Sequence, residues 1–237
     1  MKFFVLVSVI LGSCVTLAAC QSRNESSAAP APSPEAAPNN NGAAESGSAP
    51  STTSGLPKIV AFGDSLTAGQ GLQPSQGYTY MLQQKIDRDG YKYQVVNAGV
   101  SGDTSTDGLS RIDWSLDNNV KILILELGAN DVLRMQPAEQ MQKNLAQIIE
   151  RAKSKGVEVL LAGMEAPANS DSLYRNQVHQ AFADLARKEK VRFIPFVLDH
   201  VGGVTSLNQS DGIHPNAEGE KIMTQTVYDG LKPMLRK

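Results

Sequence analysis

Cysteine is nearly absent from this chain. Of its 237 residues only Cys14 and Cys20 are cysteines, and none follows position 20. That excludes a disulfide framework or a cysteine-based metal site from the rest of the chain. An excess of either charge is also missing. From Leu56 onward 20 Lys and Arg face 21 Asp and Glu, and no basic stripe appears. Nucleic acid is therefore not an expected partner. The glycine-rich phosphate motifs GxGxxG and GxxxxGK[ST] do not occur. No apolar run is long enough to span a membrane unaided. Phe3 to Leu17 falls short of the ~20 residues a spanning helix needs, and Ser8, Gly12, Ser13 and Thr16 thin it further.

What stands at the N-terminus has another pattern. Lys2 precedes the apolar stretch and Ala18-Ala19 follows it, the layout of an export signal over residues 1–19. Leu17-Ala18-Ala19-Cys20 resembles the lipobox of bacterial lipoproteins. That resemblance implies that Cys20 becomes the lipidated first residue of an exported lipoprotein, held in the cell envelope at a membrane. It also accounts for an otherwise odd lone thiol. Residues 20–55 read as a linker. Gln21 to Gly55 holds five Pro and eight Ser, with no Leu, Ile, Val or aromatic residue, and cannot bury enough apolar surface to fold. Its 35 residues would span roughly 30–35 Å as a flexible tether. Residues 56–237 form the expected single domain, and a monomer.

Within that domain short apolar runs alternate with amphipathic stretches. Strands are expected at Lys58–Phe62, Gln94–Ala98, Lys121–Leu127, Val157–Gly163 and Val191–Pro195. Helices are expected at about 76–89, 105–117, 137–155, 172–189 and 216–236. Ile122 to Leu125 is continuously apolar, as a parallel strand covered on both faces requires. The alternation predicts an α/β fold: a three-layer α/β/α sandwich on a five-stranded, parallel, doubly wound sheet of flavodoxin-like order.

Sites in such sheets lie beyond the carboxyl ends of the strands. Three small polar loops fall there: Gly63-Asp64-Ser65, Asn97 to Gly102, and Gly128 to Asp131. Ser65 could be no more than a helix cap, so a base has to be found for it. His179 sits in a helical pattern and His200 in a loop without a partner at a telling spacing. His214 differs, because Asp211 precedes it by three residues in DGIHP. The Asp211 carboxylate can turn onto Nδ1 of His214 and leave Nε2 free as a base, although the same motif also suits a plain turn before a helix capped by Asn216. Ser65, His214 and Asp211 then match nucleophile, base and orienting acid. The backbone N–H of Ser65 and Gly99 and the side-chain amide of Asn130 are the candidate oxyanion donors. No metal or cofactor is implied.

The segments GDSLTAG, NAGVSGDTS, GANDVLR and DGIHPNAEG resemble the four blocks of the SGNH, or GDSL, hydrolase family, in order and over essentially all of 58–237. The resemblance places Ser65, Gly99, Asn130 and His214 on the four letters of the name and Asp211 on the triad acid. ELGAND, LLAGMEAP and LNQSDGIHPNAEG are most similar to the arylesterase and thioesterase I/lysophospholipase L1 branch. It implies a serine esterase for carboxylic esters or thioesters, with aryl esters or lysophospholipids as substrates. The alternatives are a polysaccharide O-acetyl esterase and a non-catalytic binding lipoprotein. Thr67 stands where the G-x-S-x-G elbow of α/β-hydrolases needs its second glycine. Leu66, Leu133 and Met135 are candidates to line an acyl groove. Glu165 and Asp171 bring negative charge to the loop after the fourth strand, and Glu126 reads as a structural carboxylate.

Overall fold

A computed structural model describes residues 55–237. The export signal, Cys20 and the linker short of Gly55 lie outside the described residues.

Five parallel strands make the sheet: β1 (Lys58–Gly63), β2 (Gln94–Gly99), β3 (Val120–Glu126), β4 (Glu158–Ala162) and β5 (Arg192–Ile194), in the spatial order β2-β1-β3-β4-β5. This is the expected doubly wound order. α3 (Ser105–Ser115), α5 (Ala138–Ser154) and α6 (Ser172–Glu189) pack side by side, and α2 (Tyr78–Arg88) pairs with α7 (Ala217–Leu231). β3 runs through the middle. From Ile122 to Leu125 its side chains are buried, so the continuous apolar run is explained by cover on both faces. β2 is an edge strand, as β5 is, and is only half-buried.

Two short helices depart from the loops read in the sequence. α1 (Ser65–Ala68) and α4 (Ala129–Leu133) follow β1 and β3 directly. α7 also stops earlier than the pattern indicates. Pro233 lies in the 3₁₀ turn Lys232–Met234, where its ring cannot continue an α-helix.

The direction of winding reverses between β1 and β3, which is where such folds open a crevice. The strand ends there are flush. Gly63 pairs in register with Gly99 of β2 and with Glu126 of β3. The loops that leave those three residues therefore emerge on one rim. Arg111 of α3 fastens that rim from below. Its guanidinium donates to the carbonyls of Gly63 and Ala98 and to the Asp103 carboxylate, and lies 4.0 Å over the Phe62 ring.

Candidate active site

Ser65 is the first residue of α1. Asp64 caps that helix by accepting from the Leu66 N–H at 3.1 Å. Ser65 is only half-buried, while Asp64 and Leu66 on either side are buried. The turn thus lifts one hydroxyl out of an otherwise closed segment.

His214 comes from the loop before α7. Its Nε2 lies 2.8 Å from Ser65 Oγ, across 149 residues of sequence, and its Nδ1 lies 2.7 Å from Asp211 Oδ2. The other Asp211 oxygen accepts the backbone N–H groups of Ile213 and His214, both at 3.0 Å. These bonds hold the Asp211 carboxyl at about 2, the backbone N–H of His214 contributing most. An ionised carboxylate on Nδ1 fixes the tautomer that leaves Nε2 facing Ser65. Asn208 and Pro215 close the loop by an antiparallel bridge, and Asn216 caps α7 through Glu218 and Gly219.

The third rim loop supplies Asn130, on the first turn of α4. Its Nδ2 donates to Asp64 Oδ2 at 3.2 Å and to the Asp103 carbonyl at 3.0 Å. Burial pushes the Asp64 carboxyl up to about 6, against the lowering effect of its hydrogen bonds from Leu66 and Asn130.

Gly99 does not join this group. Its N–H donates to Asn97 Oδ1 at 2.9 Å, and it lies outside the groove that Ser65, Asn130 and His214 line. A Cβ on Gly99 would stand 2.3 Å from the Ala68 backbone nitrogen, so glycine is needed there to let α1 pack on β2. The glycine of this loop that lines the groove is Gly102, three residues on, at φ 89°. Its N–H has no partner among the described residues. The signal was present in the sequence. Thr104 and Asp107 form a capping box that starts α3, which leaves Gly102 at the tip of the loop.

The groove has a volume of about 560 Å³. Leu66, Leu133, Met164, Pro167, Phe196 and Ile213 are among its apolar walls. Met135 is not. It is exposed, at φ 53°. Glu165 is the one carboxylate on the lining, and its Oε1 lies 2.7 Å from His179 Nδ1 of α6. His179 thus has a partner that its sequence position does not disclose. Asp171 turns away to another task, capping α6 at the Leu173 and Tyr174 N–H groups. Glu126 is fully buried behind the rim. One oxygen accepts from the Thr67 hydroxyl at 2.8 Å and the other has no partner among the described residues, and burial holds its carboxyl well above the usual range.

A hydroxyl, an imidazole and a carboxylate in hydrogen-bonded series, at the mouth of an apolar groove, are the parts of a serine hydrolase. The chain matches the GDSL-like lipase/acylhydrolase family over residues 61–222 and belongs to that family. It is 39% identical to the esterase TesA of Pseudomonas aeruginosa over 178 residues, 75% of this chain and 89% of that one. It is 32% identical to the thioesterase 1/protease 1/lysophospholipase L1 of Escherichia coli K12, over 75% of this chain and 84% of that one. A crystal structure of TesA superposes with a TM-score of 0.73 at 38% identity, covering 75% of this chain and 99% of that structure. The protein is a serine esterase.

Proposed function

We propose that Ser65 is the nucleophile, His214 the general base and Asp211 the acid that orients it. The series from Ser65 Oγ through His214 to Asp211 carries this reading. Ser65 Oγ attacks the ester carbonyl as Nε2 takes its proton. The tetrahedral oxyanion is met by the N–H groups of Ser65 and Gly102 and the Asn130 amide. As the carbonyl reforms, the C–O bond to the alcohol breaks and His214 returns the proton to the leaving oxygen. Water then attacks acyl-Ser65 as His214 takes its proton, and the acid leaves as the C–Oγ bond breaks and His214 returns that proton to Ser65 Oγ. Gly102 replaces Gly99 in this account because its N–H is free and on the groove.

The substrates are carboxylic esters, aryl esters and lysophospholipids among them, with the acyl chain laid along Leu66, Leu133 and Phe196. Each methylene removed from water contributes at most about 0.8 kcal/mol, or a few-fold in kcat/KM. The test is a p-nitrophenyl ester series of increasing length on purified protein. We expect kcat/KM to rise from acetyl through butyryl to hexanoyl. A sharp optimum at acetyl would replace this reading with that of an O-acetyl esterase.

The proposal extends to location. Cys20 would carry the lipid that tethers the domain, as a monomer, to an envelope membrane, with the linker as spacer. Support comes from the lipobox-like Leu17-Ala18-Ala19-Cys20 and from the linker composition. Cys20→Ala should move the protein from the membrane to the soluble fraction or leave it unprocessed. Unmodified Cys20 in the mature protein would end the tether reading.

A further inference from the structure

We infer that Asp64, the residue before the nucleophile, is a positioning residue that aims the Asn130 amide at the oxyanion. The inference rests on the proposed role of Asn130 as an oxyanion donor.

Asp64 is fully buried and divides its two oxygens between two parts of the site. Oδ1 holds the Leu66 N–H and so the first turn of α1, which carries Ser65. Oδ2 holds the Asn130 amide nitrogen, whose second hydrogen goes to the Asp103 carbonyl. An ionised carboxylate and a carbonyl accept hydrogen bonds and donate none. Turned the other way round, the Asn130 amide would set its own oxygen against two acceptors. The pair therefore selects one of the two amide orientations, the one with the nitrogen beside the residue that precedes Ser65. Both amide hydrogens are engaged in this state, so an oxyanion contact requires one of them to exchange its anchor. One hydrogen stays with its anchor while the other turns to the oxyanion, so the donor is delivered without freeing the side chain. Neither His214 nor Asp211 bonds to Asp64, and its contribution runs through Asn130 and α1. Asp103, the other anchor, is itself held by Arg111, which ties the amide to the same fastening as the strand ends.

The test is a double-mutant cycle on the full chain, with kcat and KM measured on a p-nitrophenyl ester and kcat referred to sites titrated by a serine-directed phosphonate. Asp64→Asn keeps the shape and the cap but sets an amide donor against the Asn130 donor. We expect kcat to fall about 10–100-fold with KM little changed, since small misplacements of a catalytic group cost this much. Asn130→Ala alone should lower kcat about 10²–10³-fold. In the Asn130→Ala background Asp64→Asn should cost less than about two-fold more. An equal loss in both backgrounds overturns the inference and leaves Asn130 as an oxyanion donor. Full kcat in Asn130→Ala overturns that donor role and the inference together. Asp64→Ser, which can still cap α1 but is too short to reach Asn130, gives the same cycle should Asp64→Asn not fold. The wild-type protein supplies a second readout. Both Asn130 side-chain amide protons should exchange slowly with solvent by NMR, because both are bonded, and free exchange of the pair overturns the inference.

Discussion

The side-chain amide of Gln209 donates to the Gln70 carbonyl at 2.8 Å and to the Pro215 carbonyl at 2.9 Å. One side chain thus joins the loop after α1, which carries Ser65, to the loop that carries His214. Gln209→Ala should loosen the Ser65–His214 contact without touching substrate. We expect kcat to fall about 3–10-fold with KM nearly unchanged. Steady-state kinetics on a short aryl ester will check it, and an unchanged kcat would mean that the closed loop positions His214 unaided.

A serine-directed phosphonate should label the protein once, on Ser65, and leave Ser65→Ala unlabelled. In the labelled protein the phosphoryl oxygen should lie within hydrogen-bond distance of the Ser65 and Gly102 nitrogens and of Asn130 Nδ2. A crystal structure of the adduct checks this, and an oxygen seated on the Gly99 nitrogen would restore the other glycine. Ser65→Ala combined with His214→Ala should be little slower than either single variant, as groups that act as one unit behave.

Glu220 of α7 is buried and accepts the Tyr78 N–H at 2.7 Å, and burial pushes its carboxyl up to about 8. The folded state therefore holds this proton after the unfolded chain has lost it. Stability falls as pH rises from the ordinary carboxylate range toward about 8, and levels off above it. Glu220→Gln keeps the acceptor for Tyr78 and removes the charge. At about pH 9 its Tm should exceed that of the wild type, by about 2–4 °C for each kcal/mol recovered. Thermal melts across pH will show it. Equal slopes for the two proteins would mean that Glu220 ionises freely in the folded state.

Glu165 sets one negative charge on the groove wall, and its partner His179 neutralises it only when protonated. Glu165→Gln should raise kcat/KM for an ester with a carboxylate on its acyl chain. The gain over a neutral ester of equal length should be about 2–5-fold at low salt and should shrink as salt is added. His179→Gln should shift the preference the other way. Competition assays with paired substrates measure both, and equal effects on the charged and neutral esters would remove Glu165 from selectivity.

Much of this was legible because it is local or periodic. The five strands announce themselves as apolar runs, and Asp211 reaches His214 across one turn of chain. α1 and α4 leave no signal in the sequence because four and five residues carry no period. The two glycines of the second rim loop look alike in the sequence for a related reason. Both sit after an apolar strand, and only the register of β2 shows that Gly99 ends flush with Gly63 while Gly102 reaches the groove. Asp171 could have been read as a cap from its place before a helix. The Glu165–His179 pair could not, because it joins a loop to a helix face at a separation no local rule covers. Asp64 was visible in the motif, but its hold on Asn130 spans 66 residues and depends on β1 and β3 being neighbours.

The spacing of the triad has a consequence for biosynthesis. Asp211 and His214 belong to one short closed loop, whereas Ser65 meets its base across 149 residues. On the proposed assignment a ribosome makes the nucleophile, Ser65, early and the base, His214, near the end. Until residue 214 has emerged and docked against α1, the growing polypeptide is an acyl acceptor with nothing to take its proton. Contacts of such separation form late because chain closure must precede them. Esterase activity is therefore a readout of completed folding, and a chain whose last loop has not docked cannot turn over an ester.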